Sequence, residues 1–258
     1  MRTLEELLKK KKNQVDLWND RIISNKSNEN KFSGNFHYYH LLLAVNYLDK
    51  ADLFNAKINY NVCALIDELR IIKYNNRQLD YSNYINYAVL TDNEPLIQQY
   101  SKLRYQKGKN AELSMDEMVL QGESAIWCNT IQFFMANDIK GVERNLNIIE
   151  TLTLPKLPKN QQELKLDYEF YKALLGKDKS KCEEILEQLV SPKIHKKRND
   201  NTVLNKYVSQ PALGYAKLAW RQGLEVEVNS PLIPKEILPI EPLDNYEIPY
   251  DFLKDEIS

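Results

Sequence analysis

Residues 131–157 read IQFFMANDIKGVERNLNIIETLTLPKL, and they align without gaps on residues 168–194, which read YEFYKALLGKDKSKCEEILEQLVSPKI. Each copy ends one helix in aromatic residues and alanine, turns in a few polar residues, and begins a second amphipathic helix. A weaker copy with the same rhythm occupies residues 87–103. Recurrence at a fixed spacing, here 37 residues, is typical of stacked helical hairpins that share one core. Eight of the 27 aligned pairs are identical and support the repeat: Phe133 with Phe170, Ala136 with Ala173, Lys140 with Lys177, Ile148 with Ile185, Glu150 with Glu187, Leu152 with Leu189, Pro155 with Pro192, and Lys156 with Lys193.

The composition also favours helices, because only 7 of the 258 residues are glycine and 43% are hydrophobic, which is enough for a packed core. We therefore expect an all-α fold, an irregular helical-hairpin array (a tetratricopeptide-like α-solenoid) with a short extended C-terminal segment. We expect one helical domain over residues 1–258. It would contain N-terminal helices in residues 1–110, hairpin repeats in residues 111–222, and an acidic, proline-containing cap in residues 223–258.

Local signals place the first helices. Thr3 and Glu6 have the spacing of a capping box, and the apolar pattern behind them predicts a helix to about Ile23. Residues 36–74 read as two long helices, and shorter helices are predicted near residues 80–91 and 94–106.

A second capping box, formed by Ser114 and Glu117, predicts a helix that runs to about Ala136. The residues before it, 106–113, read QKGKNAEL and predict a loop. The apolar positions of this helix are spaced for one core-facing side, and they are Leu120, Trp127, Ile131 and Phe134.

Charge is distributed unevenly along the chain. The formal net charge is −1, but residues 221–258 hold nine carboxylates and three basic residues, so this segment is acidic and the body is mildly basic. The three cysteines, Cys63, Cys128 and Cys182, are far apart and odd in number, which argues against a disulfide framework and favours a reducing cytoplasm. Because no stretch approaches the roughly 18 apolar residues of a membrane span, we expect no membrane partner.

No pattern of residues indicates catalysis. His37 and His40 have the spacing of helical metal ligands, but the only other histidine, His195, lies in what reads as a basic loop. Ser124 stands in a weak match to a nucleophile elbow without the strand or the following glycine that an elbow requires. Glycine-rich phosphate loops are absent from the sequence. We therefore predict no enzyme activity, no cofactor and no bound metal.

Two basic runs, KKKK at residues 9–12 and HKKR at residues 195–198, and the tyrosines of residues 81–87 are the features that would suit nucleic acid. Short lysine runs are more often solvated helix faces or loops. The sequence therefore predicts a protein-binding protein with no nucleic-acid partner, and a helical RNA-binding protein is the less favoured class.

The C-terminal stretch 214–238, GYAKLAWRQGLEVEVNSPLIPKEIL, differs from the rest. The last long helix, with apolar residues from Val203 onward, ends at Gly223, where a left-handed cap is expected. The alternating Glu-Val-Glu-Val directs Val226 and Val228 inward, and Pro234 opens a brief helical turn. Beyond it we expect little regular structure.

This order resembles the C-terminal signature of the bacterial polymorphic-toxin immunity proteins grouped as immunity protein family 49. In that signature, a helix rich in small residues leads into an Arg-x-Gly-Leu-Glu-Val-like turn and then a Ser-Pro-x-x-Pro-x-x-Leu-Leu-like closing motif. The resemblance covers some 25 to 40 residues. The matching residues are Ala216, Leu218, Ala219, Trp220, Arg221, Gly223, Leu224, Val226, Ser230, Pro231, Pro234, Ile237 and Leu238.

The resemblance implies a cytoplasmic antitoxin that binds and occludes the C-terminal toxin domain of a cognate secreted protein. The leading alternative is a tetratricopeptide-like scaffold that holds a peptide of a regulatory or secretion partner. For the immunity function we expect the partner on the acidic tail, where carboxylates imitate phosphates and tyrosines supply anchoring area, unless the tail packs on its own chain. The expected partner-binding residues are Asp244, Tyr246, Glu247, Tyr250 and Asp251.

Overall fold

The computed structural model describes residues 3–74, 82–107, 111–120, 122, 125–199 and 201–254. Within these ranges the fold is all-α, as predicted, and the strands β1 (Arg104–Lys107) and β2 (Ala111–Ser114) form one antiparallel hairpin. The helices are α1 (Leu4–Ile23), α2 (Ser33–Asp49), α3 (Leu53–Ile72), α4 (Ser82–Thr91), α5 (Glu94–Tyr100), α6 (Met115–Leu120), α7 (Ile126–Met135), α8 (Ile139–Ile148), α9 (Lys165–Leu175), α10 (Lys179–Val190), α11 (Pro192–Arg198), α12 (Gln210–Arg221) and α13 (Asp251–Lys254).

Both predicted capping boxes are present. The Glu6 amide donates to Thr3 Oγ1 at 3.2 Å, and the Thr3 amide donates to Glu6 Oε2 at 3.0 Å. At α6 the Glu117 amide donates to Ser114 Oγ at 3.1 Å, and the Ser114 amide donates to Glu117 Oε2 at 2.6 Å. Each box satisfies backbone donors that the first helical turn leaves unpaired.

Four helical hairpins share one kind of turn. In each, a residue with φ of 54° to 58° precedes an Asp or Asn whose side chain accepts from the amide three residues later. The short polar side chain therefore caps the second helix while the left-handed residue reverses the chain. The turns are Ala51-Asp52 in α2–α3, Asp92-Asn93 in α4–α5, Asn137-Asp138 in α7–α8, and Lys177-Asp178 in α9–α10.

The turns of α7–α8 and α9–α10 are 40 residues apart, so the 37-residue sequence alignment is three residues out of structural register at the turn. The alignment returns to register at Pro155 and Pro192, which each lie in the first turn of a new helical segment. The difference arises because α8 continues through a π-helical segment, Ile149–Thr153, whereas α10 ends at Val190.

Packing does not follow chain order alone. α2 packs on α3 and α3 on α4, but α12, from the far end of the chain, also packs on α4 and on α10. In a solenoid each repeat contacts only its neighbours. The hairpins are therefore present, but the solenoid arrangement is not confirmed.

Several predicted boundaries are wrong. The predicted single helix from Ser114 to Ala136 is two helices, because Gly122 lies between them with φ of +79°. The break rotates α7 relative to α6, so Leu120 is 64% exposed although its predicted partners on the face pack in or against the core. Part of the predicted loop 106–113 pairs as strands, and residues 108–110 lie outside the described ranges.

The last long helix begins at Gln210, not near Val203. Pro211 stands in its first turn, where the missing amide is not needed, and a 3-10 turn, Leu204–Lys206, precedes it. The residues that follow the helix, 223–254, are called the tail below. Gly223 has φ of +78°, as expected of the cap, and Val226 is buried.

Candidate functional site

The tail divides the predicted partner-binding residues into two groups. The carboxylates of Asp244, Glu247 and Asp251 are exposed, and Asp251 pairs with Lys254 at 2.8 Å. The Tyr246 hydroxyl donates to the Thr91 carbonyl at 2.7 Å, and its ring is half-buried. The tyrosines of the tail therefore attach it to its own chain, while its carboxylates face solvent.

Tyr250 is the more deeply buried of the two tyrosines. It is buried, and its hydroxyl lies 2.7 Å from Nε2 of His40 in α2, whose Nδ1 lies 2.7 Å from Asn59 Oδ1 in α3. Its ring meets Phe36 edge-on at 4.8 Å between centroids. Burial lowers the pKa of His40 to about 4, so this imidazole is neutral at pH 7 and is held between two hydrogen-bond partners.

A buried ion cluster around Asp92 holds the start of the tail. Asp92 Oδ2 accepts from Lys57 Nζ of α3 at 2.9 Å and from Lys217 Nζ of α12 at 2.8 Å, and Arg221 lies at 3.7 Å from Oδ1. None of Asp92, Lys57 and Lys217 is more than 2% exposed. One carboxylate in the α4–α5 turn thus joins helices α3 and α12 in the interior.

The two lysines also bind the tail backbone. Lys217 donates to the carbonyls of Ile237, Leu238 and Pro239 at 2.8 to 3.2 Å, and Lys57 donates to that of Glu241 at 2.5 Å. Burial lowers the pKa of Lys217 to about 8, against the opposing attraction of Asp92. Buried charges of this kind require every hydrogen bond they can make, and here the tail carbonyls provide them.

Beside this attachment, the tail and the first turns of α3 enclose an open groove of about 330 Å³. Its apolar wall includes Phe54, which is 55% exposed, and Ile58. Its rim carries the side chains of Asp244, Asn245 and Glu247. We call it the tail groove, and it is lined by Phe54, Ile58, Pro242, Leu243, Asp244, Asn245 and Glu247.

A larger groove of about 520 Å³ lies between the α2–α3 turn and the proline-bracketed part of the tail. Its rim mixes Asp49 and Glu236 with Lys235, so no single charge dominates it. It therefore presents no single charge for a partner to recognise, unlike the acidic rim of the tail groove.

The histidines considered as metal ligands are packing residues. His37 Nε2 lies 3.0 Å from Asp67 Oδ2 inside the core, and His195 lies in helix α11, not in a loop, with Nε2 2.6 Å from the Asn205 carbonyl. Among the described residues, no cluster of three or more His, Cys, Asp or Glu is arranged to hold a metal. Ser124 lies outside those residues.

The basic runs are partly used within the fold. Arg198 makes a two-pronged ion pair with buried Asp167 at 2.9 and 3.0 Å, and Lys11 lies over the rings of Trp18 and Tyr38. Lys9, Lys10 and Lys12 are exposed on α1, as expected of a solvated face. Of the tyrosines at 81–87, Tyr87 is buried, Tyr81 lies outside the described residues, and the Tyr84 side chain is not described.

Sequence reasoning missed Asp92, Lys217 and Phe54. The sequence did contain an indication for Lys217, because this lysine interrupts an apolar stretch of α12. Its neighbours there, such as Ala216 and Leu218, are buried. Asp92 carried a weaker indication as the residue before an N-capping Asn. For Phe54 nothing in the periodicity separates an exposed position from a buried one, because it stands in the first turn of its helix.

Comparison with known proteins identifies a family. The model of the family described as Immunity protein 49 matches residues 39–237, which is more than half of the chain. No curated protein and no solved structure matches significantly. Among the described helices, none combines the length and apolar character that a membrane crossing requires.

Proposed function

We propose that this chain binds and occludes the toxin domain of one cognate secreted protein. The chain belongs to the immunity protein 49 family and is thus an immunity protein. Inhibition would be stoichiometric and without turnover. The bound toxin would be kept from its target, and the bacterium that makes both proteins would be protected.

The observation that carries the proposal is the family match over residues 39–237. The exposed carboxylates Asp244, Glu247 and Asp251 support the tail as the toxin-binding surface, since a basic partner can reach them without disturbing the core, at Asp251 by replacing the exposed Lys254. Tight immunity complexes rest on a few anchoring residues inside a rim that excludes water.

Two further features belong to the same proposal. Cys63, Cys128 and Cys182 are buried and lie in no disulfide, which supports a cytoplasmic location. The packing of α12 on α4 joins the predicted N-terminal and repeat regions, which supports a single domain acting as one unit.

The experiment that tests the proposal has two stages. The tagged chain is recovered from its host in high salt, and the proteins that remain are identified by mass spectrometry. The C-terminal domain of each captured protein is then expressed in a susceptible bacterium with and without the chain. We expect one domain to stop growth alone and to be harmless when the chain is present.

Either of two results would reject the proposal. Several exchangeable partners, none of them toxic, would favour a peptide-binding scaffold. A toxic partner that the chain does not neutralise at equal expression would show that the interaction is not protective.

A further inference from the structure

We propose that the tail groove binds an arginine side chain of the toxin, with its guanidinium over the Phe54 ring and between the carboxylates of Asp244 and Glu247. The inference rests on the proposed function and adds to it the contact surface and the chemical group that the surface recognises. Three features of the groove support it: an exposed ring, an acidic rim, and rigid walls.

The exposed ring is Phe54. It is 55% exposed in the first turn of α3 and shares the groove wall with Ile58, so an apolar surface faces solvent where the tail bends past it. Aromatic side chains that are partly open and partly supported are frequent anchors of protein interfaces. A planar cation stacks on such a ring better than on an aliphatic wall.

The rim supplies the opposite charge. Asp244 and Glu247 are exposed, and neither has an ion pair within the described ranges of the chain. Asn245 adds an amide oxygen between them in sequence. A guanidinium carries five N–H donors in a planar fork and satisfies several oxygens while its face stays on a ring, whereas an ammonium is a compact and more strongly hydrated charge.

The walls are fixed before any partner arrives. The Leu243 amide donates to the Tyr246 hydroxyl at 3.1 Å, and that hydroxyl donates onward to the Thr91 carbonyl. Upstream, the Glu241 amide donates to Asp92 Oδ2 at 3.2 Å. The backbone that carries the rim therefore loses little conformational freedom on binding, which increases the affinity obtained from a small contact.

The charge of the whole segment favours a cationic occupant. Residues 221–258 carry nine carboxylates against three basic residues. One of the three, Arg221, is used inside the fold, where it pairs with Glu94 at 2.5 Å. A basic toxin surface would thus be attracted toward the tail before the arginine is seated.

The test measures binding of the purified toxin domain, found as described above, by calorimetry. The variants are Phe54→Ala, Phe54→Leu and the double variant Asp244→Asn with Glu247→Gln. Leu152→Ala is the matched control for Phe54, because both side chains are 55% exposed. The double variant Glu143→Gln with Glu187→Gln, at two exposed carboxylates of the repeat hairpins, controls for the loss of charge.

We expect Phe54→Ala and the rim double variant each to weaken binding by about tenfold or more, and the controls to stay within about twofold. Combining the two changes should cost less than the product of their separate effects, because both act on one arginine. Phe54→Leu should also weaken binding, since it keeps apolar area but removes the ring face.

Unchanged binding by Phe54→Ala and by the rim variant, with the wild-type chain still neutralising the toxin, would overturn the inference and leave the immunity function standing. Wild-type affinity for Phe54→Leu would overturn the arginine assignment. Absence of toxin binding by the wild-type chain would reject both the function and the inference.

Discussion

Replacing Asp92 by asparagine should loosen the tail and destabilise the fold. Asparagine has nearly the same shape and tolerates the left-handed conformation that this position has, with φ of 58°. The substitution removes the charge and leaves Lys57 and Lys217 buried without a counter-ion.

The expected magnitude follows from the burial of the cluster. Neither lysine is more than 2% exposed, so water cannot replace the lost carboxylate. Removing one partner of a buried ion pair costs about 3–5 kcal/mol of unfolding free energy. For a chain of this size that corresponds to a fall in melting temperature of about 10 °C.

Urea unfolding would measure the loss of stability, and limited proteolysis would report release of the tail near Glu241. Asp178→Asn is the matched control, because it removes one carboxylate from an equivalent hairpin turn at an exposed position. Asparagine caps a helix about as well as aspartate, so the control should change stability by less than about 0.5 kcal/mol.

A loss below about 1 kcal/mol for Asp92→Asn, with no new cleavage in the tail, would refute this account of the cluster. It would mean that the lysines keep their carbonyl partners and a tolerable environment without the carboxylate. The tail would then be held mainly by Tyr250 and its neighbours.

Two further predictions concern the core. The folded chain resists protonation of His40 until pH is near 4, while the unfolded chain protonates near pH 6.5, so stability should fall between these values by up to about 3 kcal/mol. Urea midpoints at several pH values should show a flatter profile for His40→Gln. Gly214→Ala should lose about 1–3 kcal/mol, because its new Cβ would lie 2.2 Å from the Asn86 side chain. Gly34→Ala, with nothing within 4 Å, should be neutral or slightly stabilising by thermal melting.

Capping contacts within a single helical turn could be predicted from the sequence. The pairs Thr3 with Glu6 and Ser114 with Glu117 lie three residues apart and interact within one turn, so their spacing is sufficient to predict them. Gly223 is predictable for the same reason, because its left-handed cap depends only on the end of its own helix.

Contacts between residues far apart in the chain could not be predicted from the sequence. The pair of Asp92 and Lys217 is separated by 125 residues, and periodicity holds no information about which helices meet. The tail shows the same limit: composition gives its charge, but only the fold determines that Tyr250 turns inward to His40 while Glu247 stays outside. The groove wall at Phe54 depends both on which helices meet and on the path of the tail, so the sequence did not predict it.

The Asp92 cluster also sets an order of events during synthesis. The amide of Glu241, which binds the Asp92 carboxylate, is made 149 residues after it. At roughly 5–20 residues per second, a ribosome needs on the order of 7–30 s to cover that distance. During this interval Lys57 and Asp92 lack their tail partners, so the Asp92 cluster can be completed only after translation has passed the tail. A newly made chain would thus acquire its tail groove last, after the helices that it packs against.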